Sequence, residues 1–299
     1  MSNEYDTGSG AVSVERRSPE AVFGLLGDES RLRILQALGE TPDESIPFAE
    51  LHRRSEVDDS GRFNYHLGKL RGTFVRRTED GYELTYAGRQ VIGAMYAGIY
   101  TTNATVEAIP AEESCPVCGG DLVAEYAEET ASIYCTACED FRNDFGFPPG
   151  SLDQFDYEEL PFAFDRWMSH VIGGVIDGFC YTCAGRMDGQ LVVDDADERM
   201  GGLPAHAEFE CDRCSSTATT SGGAPVLYHP AVAGFLHDHG FESGRSPTWE
   251  LSAVGLPTGE LLSESPPRMT VKLEHDGERV VATLGADASV SSVERTTVG

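Results

Sequence analysis

The stretch GRFNYHLGKLRGTFVRRTEDGYELTYAGR, Gly61–Arg89, decides how the first third of the chain is read. Phe63, Leu67, Leu70 and Phe74 fall at i, i+4, i+7 and i+11, the spacing of one buried helical stripe. Arg62, Tyr65, His66 and Lys69 form a second, polar stripe on the same segment. The spacing therefore predicts an amphipathic helix from about Ser60 to Thr73. FVRR and YELTY flank TEDG, which predicts a hairpin with an Asp-Gly turn. Thr85 is placed to cap a further helix, expected over Tyr86–Ile109.

Upstream, Ser18 before Pro19 is a good helix start, and a break at Gly27-Asp28 precedes a helix carrying Leu32, Ile34, Leu35 and Leu38. PFAELHRRS predicts another short helix. The order helix, helix, helix, hairpin, helix is that of a winged helix-turn-helix domain, expected over residues 13–108 behind a loose leader at 1–17. In that architecture the second helix of the turn motif enters the DNA major groove. Arg62, Tyr65, His66 and Lys69 are then the expected groove-facing side chains. Arg76 and Arg77 stand at the base of the wing, and Arg53 and Arg54 end the preceding helix near the phosphates it would cross.

Charge sharpens this reading. The chain holds 22 Lys and Arg against 50 Asp and Glu, and only Lys69 and Lys272 are lysines. Such a surface suits a cytoplasm at molar salt, as in an extreme halophile, where repulsion is screened within about 3 Å. Residues 52–77 nevertheless carry seven basic against three acidic side chains. The longest nearly apolar run, VIGAMYAGIY, is about half the length of a membrane-spanning helix. The N-terminus lacks the charged and apolar regions of a secretory signal. A soluble cytoplasmic protein is expected.

All eight cysteines lie in four Cys-x-x-Cys pairs: Cys115/Cys118, Cys135/Cys138, Cys180/Cys183 and Cys211/Cys214. Two such turns supply a tetrahedral four-sulfur shell, so two closed zinc sites per chain are expected. Crossed pairing of the turns and iron in place of zinc both remain open at this level. The expected segments are a first zinc ribbon at 111–145 and a C-terminal domain at 150–299. That domain holds a helix at 156–176, a second ribbon at 177–216, and terminal strands. PTWELSAV and RMTVKLEHDGERVVATL are read as strands, the latter turning at Asp276-Gly277, and the last 14 residues as a tail. The fold class is α+β. His229, His237 and His239 are weaker metal candidates. No phosphate-binding glycine loop or nucleophile elbow is present, and closed thiolate sites leave no open coordination position. No enzyme is expected and no catalytic residue is assigned.

LGDESRLRILQAL, FNYHLGKL and YELTYAGR together resemble the ArsR-type winged-helix regulators of archaea over residues 18–98. The resemblance implies a DNA-binding transcription regulator, a homodimer paired through its outer helices, here 19–26 and 86–107. Metal-sensing members place cysteines near the recognition helix, whereas this chain has none before Cys115. The acidic C-terminal region would bind a partner or effector, with the transcription machinery as one such partner. Two rival readings follow from the same modules. One is a basal factor resembling archaeal TFIIE alpha, which also joins a winged helix to a zinc ribbon. The other is a zinc-ribbon interaction module whose winged helix no longer binds DNA.

Overall fold

The computed structural model describes residues 15–194, 202–242, 245–254 and 257–298. Most of the expected leader, residues 1–14, lies outside them. The chain is α+β and divides into two compact units, Met1–Thr102 and Asn103–Gly299.

The first unit contains helices α1 (Pro19–Phe23), α2 (Glu29–Gly39), α3 (Phe48–Arg54) and α4 (Ser60–Leu70), the hairpin β1 (Val75–Arg77) and β2 (Tyr82–Leu84), and helix α5 (Tyr86–Tyr96). Side chains fix most of the helix starts. Ser18, Asp28, Asp59 and Thr85 each accept a bond from a first-turn amide, satisfying donors that a helix leaves unpaired. The expected stripe of Phe63, Leu67, Leu70 and Phe74 is buried against Ile34, Leu38 and Leu51. Ile46 extends the hairpin, exchanging backbone bonds of 2.9 Å with Tyr82 in both directions. These features form a helical unit with a short antiparallel hairpin between its fourth and fifth helices.

Helix α5 stops 13 residues before the expected end at Ile109. Gly98, at φ 66°, turns its amide back to the Met95 carbonyl, and Val106 already opens a strand of the next sheet. Glycine supplies this left-handed closure at little cost.

Among the described residues the second unit holds three antiparallel sheets. The first contains β3 (Val106–Ser114), β4 (Asp121–Ala127), β5 (Thr130–Cys135) and β6 (Arg142–Gly146), paired in chain order. FPPGSLDQ forms a short 3-10 turn, and a second one at Tyr157–Glu159 leads into α6 (Leu160–Ile176). Phe164 of α6 packs in one core with Tyr126, Phe147 and Trp249, where the Tyr126 hydroxyl donates to the Phe147 carbonyl at 3.0 Å. The second sheet contains β7 (Met187–Val193), β8 (Ala205–Cys211) and β9 (Thr217–Ser221). Helices α7 (Ala224–Leu227) and α8 (Pro230–Asp238) precede the last sheet of β10 (Thr258–Glu264), β11 (Pro267–His275), β12 (Glu278–Leu284) and β13 (Val290–Thr297). Val232, Phe235 and Leu236 of α8 share a core with Met269, Val271, Leu273 and Leu284 of that sheet.

Two expectations are corrected here. PTWELSAV forms a 3-10 turn at Thr248–Val254 instead of a strand. Its start is tied to α6, because the buried carboxylate of Asp165 accepts from the Thr248 amide at 3.2 Å and its hydroxyl at 2.5 Å. The expected tail instead supplies edge strand β13, registered on β12 from Leu284↔Val290 to Glu278↔Thr297.

Two outcomes follow. A methyl group at Gly88 would sit 2.2 Å from the Phe74 carbonyl oxygen, which is backbone and cannot swing aside. Gly88→Ala should destabilise the first unit by about 1–3 kcal/mol, read as a lower denaturant midpoint. Burial raises the Asp165 carboxyl to about 6 against its ordinary 3.8, although the Thr248 bonds oppose it. The folded protein therefore holds this proton more tightly than the unfolded chain, and stability falls as pH rises from about 4 through 6. Asp165→Asn should remove roughly 1 kcal/mol of that decline between pH 5 and 7, measured by chemical denaturation.

Candidate metal centres and cationic helix face

Each metal centre is built on a strand pair. Cys115 and Cys118 flank the turn between β3 and β4, while Cys135 ends β5 and Cys138 follows it. Sulfur separations are 3.8 Å for Cys115–Cys138 and 3.5 Å for Cys118–Cys135. In the second centre Cys180–Cys214 and Cys183–Cys211 are both 3.6 Å apart. A tetrahedral ion with bonds of about 2.3 Å to sulfur has S···S edges of about 3.8 Å. The eight cysteines thus form two clusters, 115/118/135/138 and 180/183/211/214, which fit two zinc ions per chain. Crossed pairing is excluded.

The backbone explains why both turns hold this shape. Cys115 donates its amide to the Gly120 carbonyl and Cys180 to the Gly185 carbonyl, at 2.7 and 2.8 Å. A side chain at Gly120 would strike Ala137 at 2.6 Å, and one at Gly185 would lie 3.0 Å from the Cys183 sulfur. Amides of Val117, Ala137, Thr182 and Arg213 point at sulfurs at 3.3–3.4 Å, as donors to thiolates do. In both centres the residue four positions after the second cysteine, Leu122 or Met187, pairs with the third cysteine, Cys135 or Cys211. The ribbons are two copies of one design, a repeat that the unequal gaps between turns concealed in the sequence.

The thiols do not ionise alike. Bonds from the Ser216 hydroxyl and amide draw Cys214 down to about 6. Burial opposes ionisation of Cys135, yet the Ala137 and Cys138 amides bring it to about 7. The Gly120 amide favours a Cys118 thiolate, but the neighbouring Cys135 and Cys138 sulfurs push that thiol up to about 12. Four charged sulfurs at these spacings require a cation between them.

The expected histidine group is rearranged. His229 caps α8, accepting from the Ala231 amide at Nδ1. His239 instead meets His275 and Asp276, and its Nε2 lies 3.1 Å from the Glu278 carboxylate that Arg295 also holds at 2.6 Å.

In the first unit the eight expected contact residues separate into three groups. Arg62, Tyr65, Lys69 and Arg77 are exposed, and among the described residues the three cations have no carboxylate partner. Lys69 Nζ lies 5.4 Å over the Tyr65 ring. Arg53, Arg54 and Arg76 are engaged: Glu50 holds Arg53 and Arg54 at 2.5 and 2.6 Å, and Glu83 holds Arg76 at 2.7 Å. Those bonds from Arg53 and Arg54 pull the Glu50 carboxyl down to about 2. His66 departs from the expectation, because its side chain is buried with Nδ1 3.3 Å from Asp28, the α2 cap. At i+3 from Phe63 it belongs to the rim of the apolar stripe. Arg71, which lies outside the helical spacing, joins the exposed cations.

Comparison with known families follows these two halves. The description Domain of unknown function (DUF7351) matches residues 112–290, more than half of the 299 residues and all eight cysteines. The chain belongs to the DUF7351 family. A second description, Domain of unknown function (DUF7347), matches residues 19–95. No curated protein matches the chain. Within the described residues no helix is long and apolar enough to cross a membrane.

The purified protein should carry two zinc equivalents, released by a thiol-blocking mercurial and counted with a zinc indicator dye. Cys118→Ser and Cys183→Ser should each reduce the count to one. Each should also lower the melting temperature of the DUF7351 region, since structural zinc contributes on the order of 10 kcal/mol in small modules.

Proposed function

We propose that the protein is a DNA-binding transcription regulator of ArsR-like winged-helix type, in which α4 enters the major groove. The observation that carries this reading is the exposed row Arg62, Tyr65 and Lys69 on α4, with Arg77 on the wing strand, whose cations have no carboxylate partner among the described residues. An arginine can make paired bonds to guanine, while Lys69 and Tyr65 can reach phosphates. Arg53, Arg54 and Arg76 support the surface from ion pairs that a phosphate could replace.

Pairing of two copies fits the same reading. Phe23 near α1 and Tyr96, Ile99 and Tyr100 around the end of α5 are all exposed, an apolar set on the two outer helices. Two-fold association would present two α4 helices to successive groove segments. The zinc centres are structural in this reading, because their four protein ligands leave no position for a reactant. No catalytic role is proposed.

Selection from random duplexes, followed by mobility shifts in high potassium chloride, tests the proposal. Arg62→Ala and Lys69→Ala should each weaken the selected site by about 1–3 kcal/mol, whereas His66→Gln should act through stability. An unchanged affinity in the double variant Arg62→Ala/Lys69→Ala would leave the zinc-ribbon interaction module as the better reading. Occupancy at every active promoter in chromatin immunoprecipitation would favour a basal factor.

A further inference from the structure

A cavity of about 1180 Å³ in the second unit lies along α6. Phe162, Trp167 and Gly174 of that helix line it, with Phe147, Tyr228 and Trp249 contributed by neighbouring segments. Its aromatic wall is held in place. Trp167 donates from Nε1 to the Gly146 carbonyl at 2.9 Å and meets Phe147 edge-on at 6.1 Å, while Phe162 meets Trp249 edge-on at 6.2 Å. The volume is at the upper end for a small-molecule site, and aromatic walls are typical of such sites.

Charge identifies the occupant. Glu112, Glu113, Glu158, Glu159, Asp177 and Glu250 line the same cavity, against Arg166 as the single arginine or lysine. Among the described residues none of these six carboxylates forms an ion pair. Beneath them, the buried Asp165 carboxyl is raised by burial and, in addition, by the Glu250 charge. A second copy of the chain would bring the same carboxylates against themselves in a two-fold contact. The N-terminal segment 1–14 carries two acidic side chains and no basic one. An added peptide strand finds a poor edge, because Pro110 takes a donor from β3. Rings and unpaired carboxylates together favour a positive charge on an apolar body.

We propose that this groove binds a small organic cation with a bulky aromatic or alkyl body. The proposal is independent of whether α4 binds DNA, and its test involves no DNA.

Both tryptophans of the chain, Trp167 and Trp249, line the groove, so intrinsic fluorescence reports on it directly. The zinc-loaded full chain is titrated with tetraphenylphosphonium and, separately, with neutral triphenylphosphine oxide. The titrations use the lowest salt that preserves zinc content and native circular dichroism. Saturable quenching is expected, with the cation bound at least about tenfold more tightly than the neutral compound. Around a β-carbon at Gly174 there is open space within 4 Å. Gly174→Phe should therefore keep zinc and fold while abolishing the quenching. The combined variant Glu112→Gln/Glu113→Gln/Glu158→Gln/Glu250→Gln should weaken the cation at least about tenfold and leave the neutral compound unchanged.

Equal affinity for the two compounds would overturn the proposal, as would quenching that survives Gly174→Phe. Absence of saturable quenching in the unaltered chain would overturn it too. Fluorescence that changes only with protein concentration would assign the groove to a second copy. Binding of a basic aromatic peptide but not of tetraphenylphosphonium would assign it to a peptide partner.

Discussion

Four sulfurs that all lie within 4.8 Å of one another cannot all carry charge unless a cation sits among them. That constraint governs the second unit. Asn103–Gly299 contains 10 Arg and Lys against 34 Asp and Glu, a net of −24, and its self-repulsion opposes compaction. The second ribbon has little apolar mass to set against this. Its buried cluster comprises Val175, Cys180, Met187, Ala207, Phe209, Cys211 and Ala288, so two of its seven members are themselves metal ligands. A dication removes charge where the chain is most crowded and joins two turns that are 27 residues apart in sequence.

The repeated ribbon shows how one device serves two surroundings. In both copies a glycine lies so close to the sulfurs that a side chain would disturb them. The first copy is continuous with a large aromatic core in which Tyr126 and Phe147 meet Phe164 of α6, so its ion fixes one end of a well-packed body. The second copy leans on a small cluster next to β7 and β8. Equal coordination with unequal packing means that the second ion carries more of the local stability. Loss of the two metals need not cost the protein equally.

The sequence revealed most where chemistry and period agree. The α4 stripe is legible because one face must be apolar at helical spacing, and the metal ligands because two-residue gaps let paired thiolates reach one ion. The sequence pattern carries helix α5 past its end because Gly98 looks like any other glycine in an apolar run. Only its φ of 66° shows that it closes the helix. The 3-10 turn at Thr248–Val254 has a strand-like pattern because Trp249 and Leu251 alternate with polar residues. What decides its shape is the bond from Thr248 to Asp165, 83 residues away, which no local pattern contains. Strand β13 is rich in Ser, Thr and Glu and resembles a tail until β12 pairs with it. Spacing alone puts His66 with the polar stripe, although the nearby cap Asp28 gives a buried imidazole a neighbour.

Placement of carboxylates gives the first unit its polarity. Asp28 and Asp59 cap helices, and Glu29, Glu50 and Glu83 hold Arg33, Arg53, Arg54 and Arg76. Residues 60–78 contain no Asp or Glu, although the chain averages one in six. Yet this is the segment that exposes Arg62, Lys69, Arg71 and Arg77. Acidic side chains at Arg62 and Arg77 would cost nothing in core packing, since both positions face outward. Their absence is therefore not explained by the fold. In a chain of net charge −28, a polyanion can approach only where carboxylates are missing, because screened repulsion still acts at contact distance. The acid-free segment and the unpaired cations thus impose the same requirement from two directions, one by omission and one by provision.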